Sequence, residues 1–327
     1  MRYALRRTGF FLLTLWAALT LNFLLPRLMP GNPAVAMMSK YRNLSPHALL
    51  VMENLFGVNS KEGMWGQYLS YLHDLATGNL GTSLSEYPAS VTQVISNAIW
   101  WTTGLVGVAT VIAFVLGTGL GIVSAWRRGS KLDSIIPPVF VVTSAVPYFL
   151  IAMILVLLFA DTWHIFPNDK AYYVTTDTPG LNLTFIQDVI NHAFLPALSL
   201  IITTIGTWIL TMRNTMITTL AEDYVRMARA KGLPGWRIML DYAARNAILP
   251  NLTGFAMSLG FVVSGAILIE DVFDYPGVGY MLLQAVSSED YALMQGLFLL
   301  ITVAVLVAIL IADLLTAFLD PRTRAAG

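Results

Sequence analysis

The sequence contains six apolar runs of about 20 residues or more, and this pattern restricts the fold more than any other feature. A helix of about 20 residues is needed to cross the hydrocarbon core of a bilayer. Only 12% of the residues are charged, whereas soluble domains carry roughly 25%. We therefore predict an all-α membrane protein with six transmembrane helices, placed at Gly9–Met29, Ile99–Trp126, Ile135–Ala160, Ala193–Met212, Ile248–Ile269 and Leu293–Leu319.

The basic residues are distributed unevenly among the segments that join these runs. Fourteen of the 19 Lys and Arg side chains lie before the first run, in 127–131, in 213–245 and after the last run. The segment 270–290 has five acidic residues and no basic one. Basic residues next to a membrane favour its cytoplasmic side. This pattern predicts a multi-pass protein whose two termini are both cytoplasmic.

The first apolar run allows two interpretations. Arg6 and Arg7 precede it and Ala34-Val-Ala36 follows it, as in a cleavable export signal. However, the run is longer than the usual signal core of ~7–15 residues. We favour a retained spanning helix.

The sequence offers little for catalysis or metal binding. It has no cysteine, and it contains neither a Gly-x-x-x-x-Gly-Lys-Ser/Thr phosphate loop nor a His-Glu-x-x-His motif. Asp313 lies inside the sixth run, either as a functional intramembrane acid or as the ion-pair partner of Arg322 or Arg324. We expect no catalytic residue, no metal, no cofactor held by this chain and no nucleic-acid partner. The histidines are scattered through the predicted outer segments, at His47, His73, His164 and His192.

One transmembrane domain, 1–327, accounts for the whole chain. Residues 30–98 form its longest connection, in which the amphipathic stretch Gln67–Leu75 is followed by the turn-forming Gly78-Asn-Leu-Gly81. We expect a cap of short helices there, on the outer surface. Small residues recur every four positions in the second and fifth runs, which permits close packing either within the chain or at a dimer or gate seam; they are Ala113, Gly117, Gly121, Ala256, Gly260 and Ser264.

Prolines interrupt the third run at Pro137, Pro138 and Pro147. Proline removes a backbone donor and bends a helix, and the freed carbonyls within a membrane usually face protein or water. The prolines therefore mark either simple kinks or a polar pathway. For a pathway, the candidate lining residues are Thr143, Ser144, Pro147, Thr203, Thr207, Ser258 and Ser264.

Residues 213–247 concentrate charge between the fourth and fifth runs. Thr219 and Glu222 have the spacing of a capping box, which starts a helix. Gly232 is suited to end that helix, and Pro234 suits the first turn of a return helix. We therefore predict that this segment forms two short helices that project from the membrane, and we call this helix pair the knob.

The knob has two possible partners. The small side chains of Ala228 and Ala230 keep its first helix slim enough to enter a groove of another protein. The basic residues could instead bind anionic lipid.

Five motifs, in the same order, resemble permeases of binding-protein-dependent ABC importers. The resemblance is to the peptide, nickel and oligosaccharide branch, which includes dipeptide and oligopeptide permease B-like proteins. In the loop, Gly232 and Leu249-Pro250 match the general family pattern. Two features depart from it: Arg226 stands where the general pattern has Glu, and more residues separate Gly232 from Leu-Pro. Both departures are usual in the peptide branch. The motifs are Phe23–Ala34, Gly78–Ser83, Glu222–Pro250, Val272–Gly279 and Leu319–Arg324.

The resemblance implies the type I ABC importer permease fold, in the bacterial cytoplasmic (inner) membrane. It implies a second permease subunit, two ATP-binding subunits that use ATP and Mg, and an extracytoplasmic solute-binding protein as partners, together with the lipid bilayer. The chain would form the translocation pathway for oligosaccharides or oligopeptides. The residues implied to couple the permease to the ATPases are Glu222, Tyr224, Arg226, Ala228, Arg229, Lys231, Gly232, Leu233 and Pro234.

The transported molecule is less constrained. Three segments, 182–186, 212–217 and 290–296, resemble members that import plant oligosaccharides and slightly favour sugars. Trp100, Trp101 and Trp163 could stack on sugar rings or form an interfacial aromatic belt. The main alternative function is an ATP-independent polytopic channel or facilitator, which would need none of these partners.

Overall fold

The computed structural model describes residues 2–28, 63–173, 179–180 and 182–319, with side chains described within 8–24, 63–173, 179–180 and 182–311. The described backbone is helical, and its β pairing consists of an isolated bridge between Thr82 and Ser90. The helices are α1 (Arg2–Leu28), α2 (Met64–Thr77), α3 (Val91–Trp126), α4 (Lys131–Ala145), α5 (Tyr148–Thr162), α6 (Leu183–Leu220), α7 (Asp223–Ala230), α8 (Gly235–Ala247), α9 (Leu249–Ser264), α10 (Ile267–Val272), α11 (Val278–Ser287) and α12 (Tyr291–Leu319). The predicted all-α class is confirmed.

Two long helices, α3 and α6, pack along each other at the centre of the bundle. They have 36 and 38 residues, so each is more than 50 Å long at about 1.5 Å per residue. An added Cβ at Gly117 would lie 2.6 Å from the Cβ of Trp208, and one at Gly121 would lie 2.7 Å from the carbonyl oxygen of Ile209. These glycines therefore serve helix packing within the chain, which is the first of the two predicted roles.

The third apolar run is not one straight span. Pro137 and Pro138 lie inside α4 without ending it, contrary to the expectation that they interrupt the run. The break comes at Val146 and Pro147, where α4 and α5 meet at 97°. Pro147 precedes the first residue of α5, and a proline restricts the residue before it to extended backbone. Val146 accordingly has φ −83° and ψ 130°.

The fifth run also differs from its predicted limits. α8 and α9 meet at a bend of 52°, and α9 ends at Ser264 rather than at Ile269. Gly265 follows with φ +75°, a conformation that side chains other than glycine rarely adopt. On α9, Gly260 lies against Ala308 of α12 so closely that an added Cβ would overlap it.

The described helices are consistent with the six predicted spans, although the number remains a prediction. Among the described residues, three helices are long and apolar enough to cross a membrane, and there are five candidates if each bent pair counts as one span. The described apolar part of α1, Thr8–Leu24, is shorter. Residues 30–62 of the predicted cap lie outside the described residues, whereas the amphipathic stretch at 67–75 of the same segment forms α2 as expected.

A buried carboxylate at one end of the bundle holds a surface turn against α12. Asp290 is fully buried. Its Oδ2 accepts hydrogen bonds from the Ser83 hydroxyl (2.6 Å), the Leu84 amide (2.7 Å) and the Ser85 amide (2.9 Å). Its Oδ1 caps α12 by accepting from the Leu293 amide at 3.0 Å. Asp290 thus joins the 78–83 motif to the last helix.

A second buried carboxylate organises the neighbouring turn. Glu270 accepts from the Thr102 hydroxyl at 2.8 Å and from the Gly279 amide at 2.7 Å. An added Cβ at Gly277 would overlap this carboxylate, which explains why the 272–279 motif places glycine there. Each of the two motifs is thus held by its own buried carboxylate at this end of the bundle, which we call the far end. The end that carries α7 is called the loop end.

We expect Asp290→Asn to lower the free energy of unfolding by about 2 kcal/mol. An amide has only one acceptor atom, so it can serve either the 83–85 donors or the Leu293 amide, and a buried unpaired amide costs about 1–3 kcal/mol. Thermal denaturation of the purified protein in detergent checks this. Asp271→Asn is the control, because Asp271 is exposed on the same surface. Equal midpoints for the two variants would contradict the role assigned to Asp290.

Candidate functional site

The predicted knob forms at the loop end. α7 ends in a double hydrogen bond typical of a glycine-terminated helix: the Gly232 amide donates to the Arg229 carbonyl at 2.9 Å and the Leu233 amide to the Ala228 carbonyl at 3.3 Å. Gly232 has φ +72°, as the sequence predicted. Pro234 then directly precedes the return helix α8.

The start of α7 differs from the predicted capping box. The Glu222 side chain makes no capping hydrogen bond. The Thr219 hydroxyl donates instead to the Thr215 carbonyl of α6, at 2.8 Å. Because α6 runs on to Leu220, Thr219 is still inside a helix and cannot cap the next one.

The inner face of α7 is fully packed within this chain. Val225 (0% exposed) and Ala228 (2%) lie against Ile238 of α8, and Trp126 at the end of α3 joins this cluster. Of the two small residues expected to keep α7 slim, Ala228 is therefore buried and Ala230 is exposed. Ala228 allows α7 and α8 to approach each other, and it is not available to a partner.

The outer face of α7 is open to solvent. Met227 is 58% exposed and Tyr224 is 39% exposed. The remaining predicted coupling residues that lie open are Glu222, Arg226, Arg229, Lys231, Gly232 and Pro234, while Leu233 is half-buried. Arg226 lies 3.6 Å from Asp223 in a solvated pair, and such pairs contribute at most about 1 kcal/mol. The outer face of α7 thus presents a mainly basic surface with two exposed apolar side chains, and Trp236 and Leu240 are exposed on α8.

An ion pair joins α4 to α6 at the loop end, near the point where the chain enters the knob. The Arg213 guanidinium on α6 donates to both oxygens of Asp133 on α4, through Nη2 at 3.0 Å and through Nε. The Gly129 amide also donates to Asp133, at 3.0 Å. The hydrogen bond from Arg213 holds the pKa of the Asp133 carboxyl below its usual value, although partial burial opposes this effect. The turn between α3 and α4 is therefore fixed to α6 at the loop end.

The predicted pathway residues occupy two kinds of position. The Thr143 hydroxyl on α4 donates to the Ile202 carbonyl of α6 at 3.1 Å, and Ser144 lies against Gly206. These two half-buried residues belong to the α4–α6 contact. The hydroxyls of Thr203, Ser258 and Ser264 donate to carbonyls of their own helices, and Thr207 and Pro147 are exposed.

Comparison with known proteins identifies the family. Residues 117–325 match the family described as "Binding-protein-dependent transport system inner membrane component". The chain is 32% identical over 343 residues to the dipeptide transport system permease protein DppB of Escherichia coli (strain K12), with 99% of each chain covered. It is 30% identical over 324 residues to DppB of Lactococcus lactis, again with 99% of each covered, and 32% identical over 332 residues to the di/tripeptide transport system permease protein DppB of Pseudomonas aeruginosa, with 98% and 97% covered.

The chain belongs to this family of inner-membrane permeases. It is a multi-pass permease component of a binding-protein-dependent ABC importer, and the family is not itself catalytic. Its fold class, expected from the resemblance of five motifs, is confirmed.

Other candidate residues of the permease show no chemistry of their own. Among the residues that the structure describes, no three His, Asp or Glu side chains are placed to hold a metal ion. His192 is buried rather than superficial, and its Nδ1 lies 2.9 Å from the Asp188 carbonyl oxygen. The side chain of Asp313 lies outside the described residues. Of the three tryptophans named for stacking, Trp101 is half-buried and stacks on Tyr172 with 5.7 Å between ring centroids, whereas Trp100 and Trp163 are exposed.

Sequence reasoning missed three features of the packing between the knob and the helices of the bundle. Gly206 lies at the α4–α6 contact, Trp126 supports the knob, and Asn251 joins three helices inside the bundle. Gly206 and Trp126 resemble ordinary members of an apolar run. Asn251, a polar residue directly after Leu249-Pro250, carried a signal that could have been noticed, since amides are uncommon inside membranes.

Proposed function

We propose that this permease forms, with a second permease subunit, the inner-membrane pathway of an ATP-driven importer of short peptides. A solute-binding protein delivers the peptide from outside, and two ATP-binding subunits attach on the cytoplasmic side and use ATP and Mg. The chain itself binds neither nucleotide nor metal. The termini and the knob are cytoplasmic in this proposal, as the distribution of basic residues predicts.

One observation carries the proposal: α7 exposes its outer face while its inner face is packed against α8 and α3. Met227 and Tyr224 are exposed large apolar residues, surrounded by basic side chains, on a helix whose buried Val225 holds it in place. A helix held only by lipid attraction needs no such base. A rigid, partly apolar knob suits a protein groove, into which helices insert apolar anchors.

Peptides are the preferred substrate class because the relatives from Escherichia coli, Lactococcus lactis and Pseudomonas aeruginosa are named as dipeptide or di/tripeptide permeases. None of these names supports the slight preference for oligosaccharides that three short segments suggested. Aromatic stacking does not decide between sugars and peptides, since Trp101 packs on Tyr172 while Trp100 and Trp163 are exposed.

Purification of the tagged permease from native membranes in mild detergent tests the proposal. We expect mass spectrometry to find a second permease, P-loop ATPases and a solute-binding protein. When reconstituted in liposomes, this complex should take up radiolabelled trialanine only with ATP. Uptake of radiolabelled cellotriose in place of trialanine would reassign the substrate class. A solute leak in liposomes that contain this chain alone would support the channel alternative and overturn the proposal.

A further inference from the structure

Asn251 joins three helices at the point where the loop enters the bundle. The residue is 1% exposed and follows the 52° bend between α8 and α9. Its Nδ2 donates to the Thr118 hydroxyl of α3 at 3.1 Å and to the Trp208 carbonyl of α6 at 3.2 Å. The chain enters the knob from α6 and leaves it into α9, so Asn251 closes the base of the loop.

The orientation of the amide follows from its partners. A backbone carbonyl can only accept a hydrogen bond, so the NH2 group of Asn251 must face Trp208. The Oδ1 atom is buried, and no residue described by the structure donates to it. An unpaired acceptor in an apolar interior destabilises the arrangement that contains it.

The surroundings of Asn251 are rigid. Phe114 of α3 stacks on Phe255 of α9 with ring centroids 4.2 Å apart, and Phe114 also meets the Trp208 ring edge-on at 5.4 Å. Because both apolar and polar contacts join the same three helices, a displacement of α8 at the bend is passed to α3 and α6 as well as to α9. Apolar contacts alone allow the helices to slide, whereas the two directional hydrogen bonds fix their register.

We propose that Asn251 is a positioning residue that makes α3, α6 and α9 move as one unit when the knob is displaced. This inference rests on the proposed function, in which ATPase subunits displace the knob. Asn251 acts through Thr118 and the Trp208 carbonyl, and it does not need to touch the transported molecule.

The test uses the complete transporter, purified with its partner subunits and reconstituted in nanodiscs. Spin labels are attached through Val108→Cys on α3 and Phe261→Cys on α9, which are both exposed; the chain has no cysteine of its own. Pulsed electron paramagnetic resonance measures the α3–α9 distance with and without ATP. With Asn251 present, we expect the same distance in both conditions.

Asn251→Leu preserves the approximate size of the side chain and removes both hydrogen bonds. We expect a second, ATP-dependent α3–α9 distance in this variant, and about a five-fold fall in trialanine imported per ATP hydrolysed, the size of effect expected from an interhelical hydrogen bond in a membrane. A side chain with a merely structural role would lower the thermal midpoint without adding an ATP-dependent distance. An unchanged distance with ATP would overturn the inference.

Control variants distinguish the possible failures. Thr204→Val removes an exposed hydroxyl that donates only to its own helix, at the Leu200 carbonyl, and lies outside the knob, so it should behave like the natural protein. Thr118→Val, which removes the hydroxyl that accepts from Asn251, should produce part of the ATP-dependent change in the α3–α9 distance, whereas Thr118→Ser, which keeps a hydroxyl, should not. If Asn251→Leu does not fold, this pair of variants tests the inference in its place. If the natural complex hydrolyses no ATP, the proposed function fails, and the inference fails with it.

Discussion

Gly232→Asp is expected to abolish the ATP hydrolysis that substrate and its binding protein stimulate, while the permease remains folded in the membrane. Gly232 is exposed at the end of α7 with φ +72°. A side chain there would meet no atom of this chain within 4 Å, so the fold tolerates it apart from about 1 kcal/mol of backbone strain. The new carboxylate would nevertheless project from the surface proposed to dock, beside Arg229 and Lys231. ATPase measurements on the reconstituted complex check this expectation.

Gly129→Asp is the matched control for this variant. Gly129 also lies in a loop-end turn, with φ +80° and open space around it, but it is not part of the knob. Stimulated ATP hydrolysis should survive this change. Gly232→Asn separates backbone strain from charge, since asparagine tolerates the left-handed conformation and carries no charge. Normal transport by Gly232→Asp would reject the docking role of the knob.

Gly206→Ala should prevent stable folding of the permease, or lower the free energy of unfolding by about 3 kcal/mol or more. An added Cβ on α6 would overlap the Phe140 carbonyl oxygen of α4 and lie 2.5 Å from the Ser144 hydroxyl oxygen. A backbone atom cannot move aside as a flexible side chain can, so α4 would have to separate from α6. This separation would also break the hydrogen bond from Thr143 to Ile202.

The yield of monodisperse protein in size-exclusion chromatography, together with its thermal midpoint, checks this prediction. Gly104→Ala is the control, because an added Cβ at Gly104 on α3 meets nothing within 4 Å. Alanine is also the better helix former by about 1 kcal/mol, so the control should be neutral or slightly stabilising. A Gly206→Ala variant as stable as this control would show that the α4–α6 contact is looser than the structure indicates.

Local sequence features predicted much of the loop end correctly. Gly232 ends α7 because a left-handed residue closes a helix, and Pro234 precedes the return helix because it suits a first turn; both effects act over a few residues. The predicted capping box does not form. Thr219 and Glu222 have the right spacing, but α6 continues through Thr219, and spacing alone does not reveal where the preceding helix ends.

The expectation that all three prolines interrupt the third run held only at Pro147, and the burial of Ala228 was not foreseen, because both depend on distant residues. Pro137, Pro138 and Pro147 all lie in one apolar run, yet the 97° break occurs only at Pro147. The spacing of small residues did predict close packing, but whether Ala228 faces a partner or its own chain depends on where α8 folds back.

The sequence by itself determined the helical class, the membrane setting and the family, because hydrocarbon selects apolar helices of a certain length and five motifs retain their order. Only the tertiary structure decided which polar groups meet. Asp290 with 83–85, Glu270 with Thr102, and Asn251 with Thr118 are separated by more than 100 residues in each case. Such pairs leave no periodic trace in a sequence, because their contacts arise only when distant helices pack together.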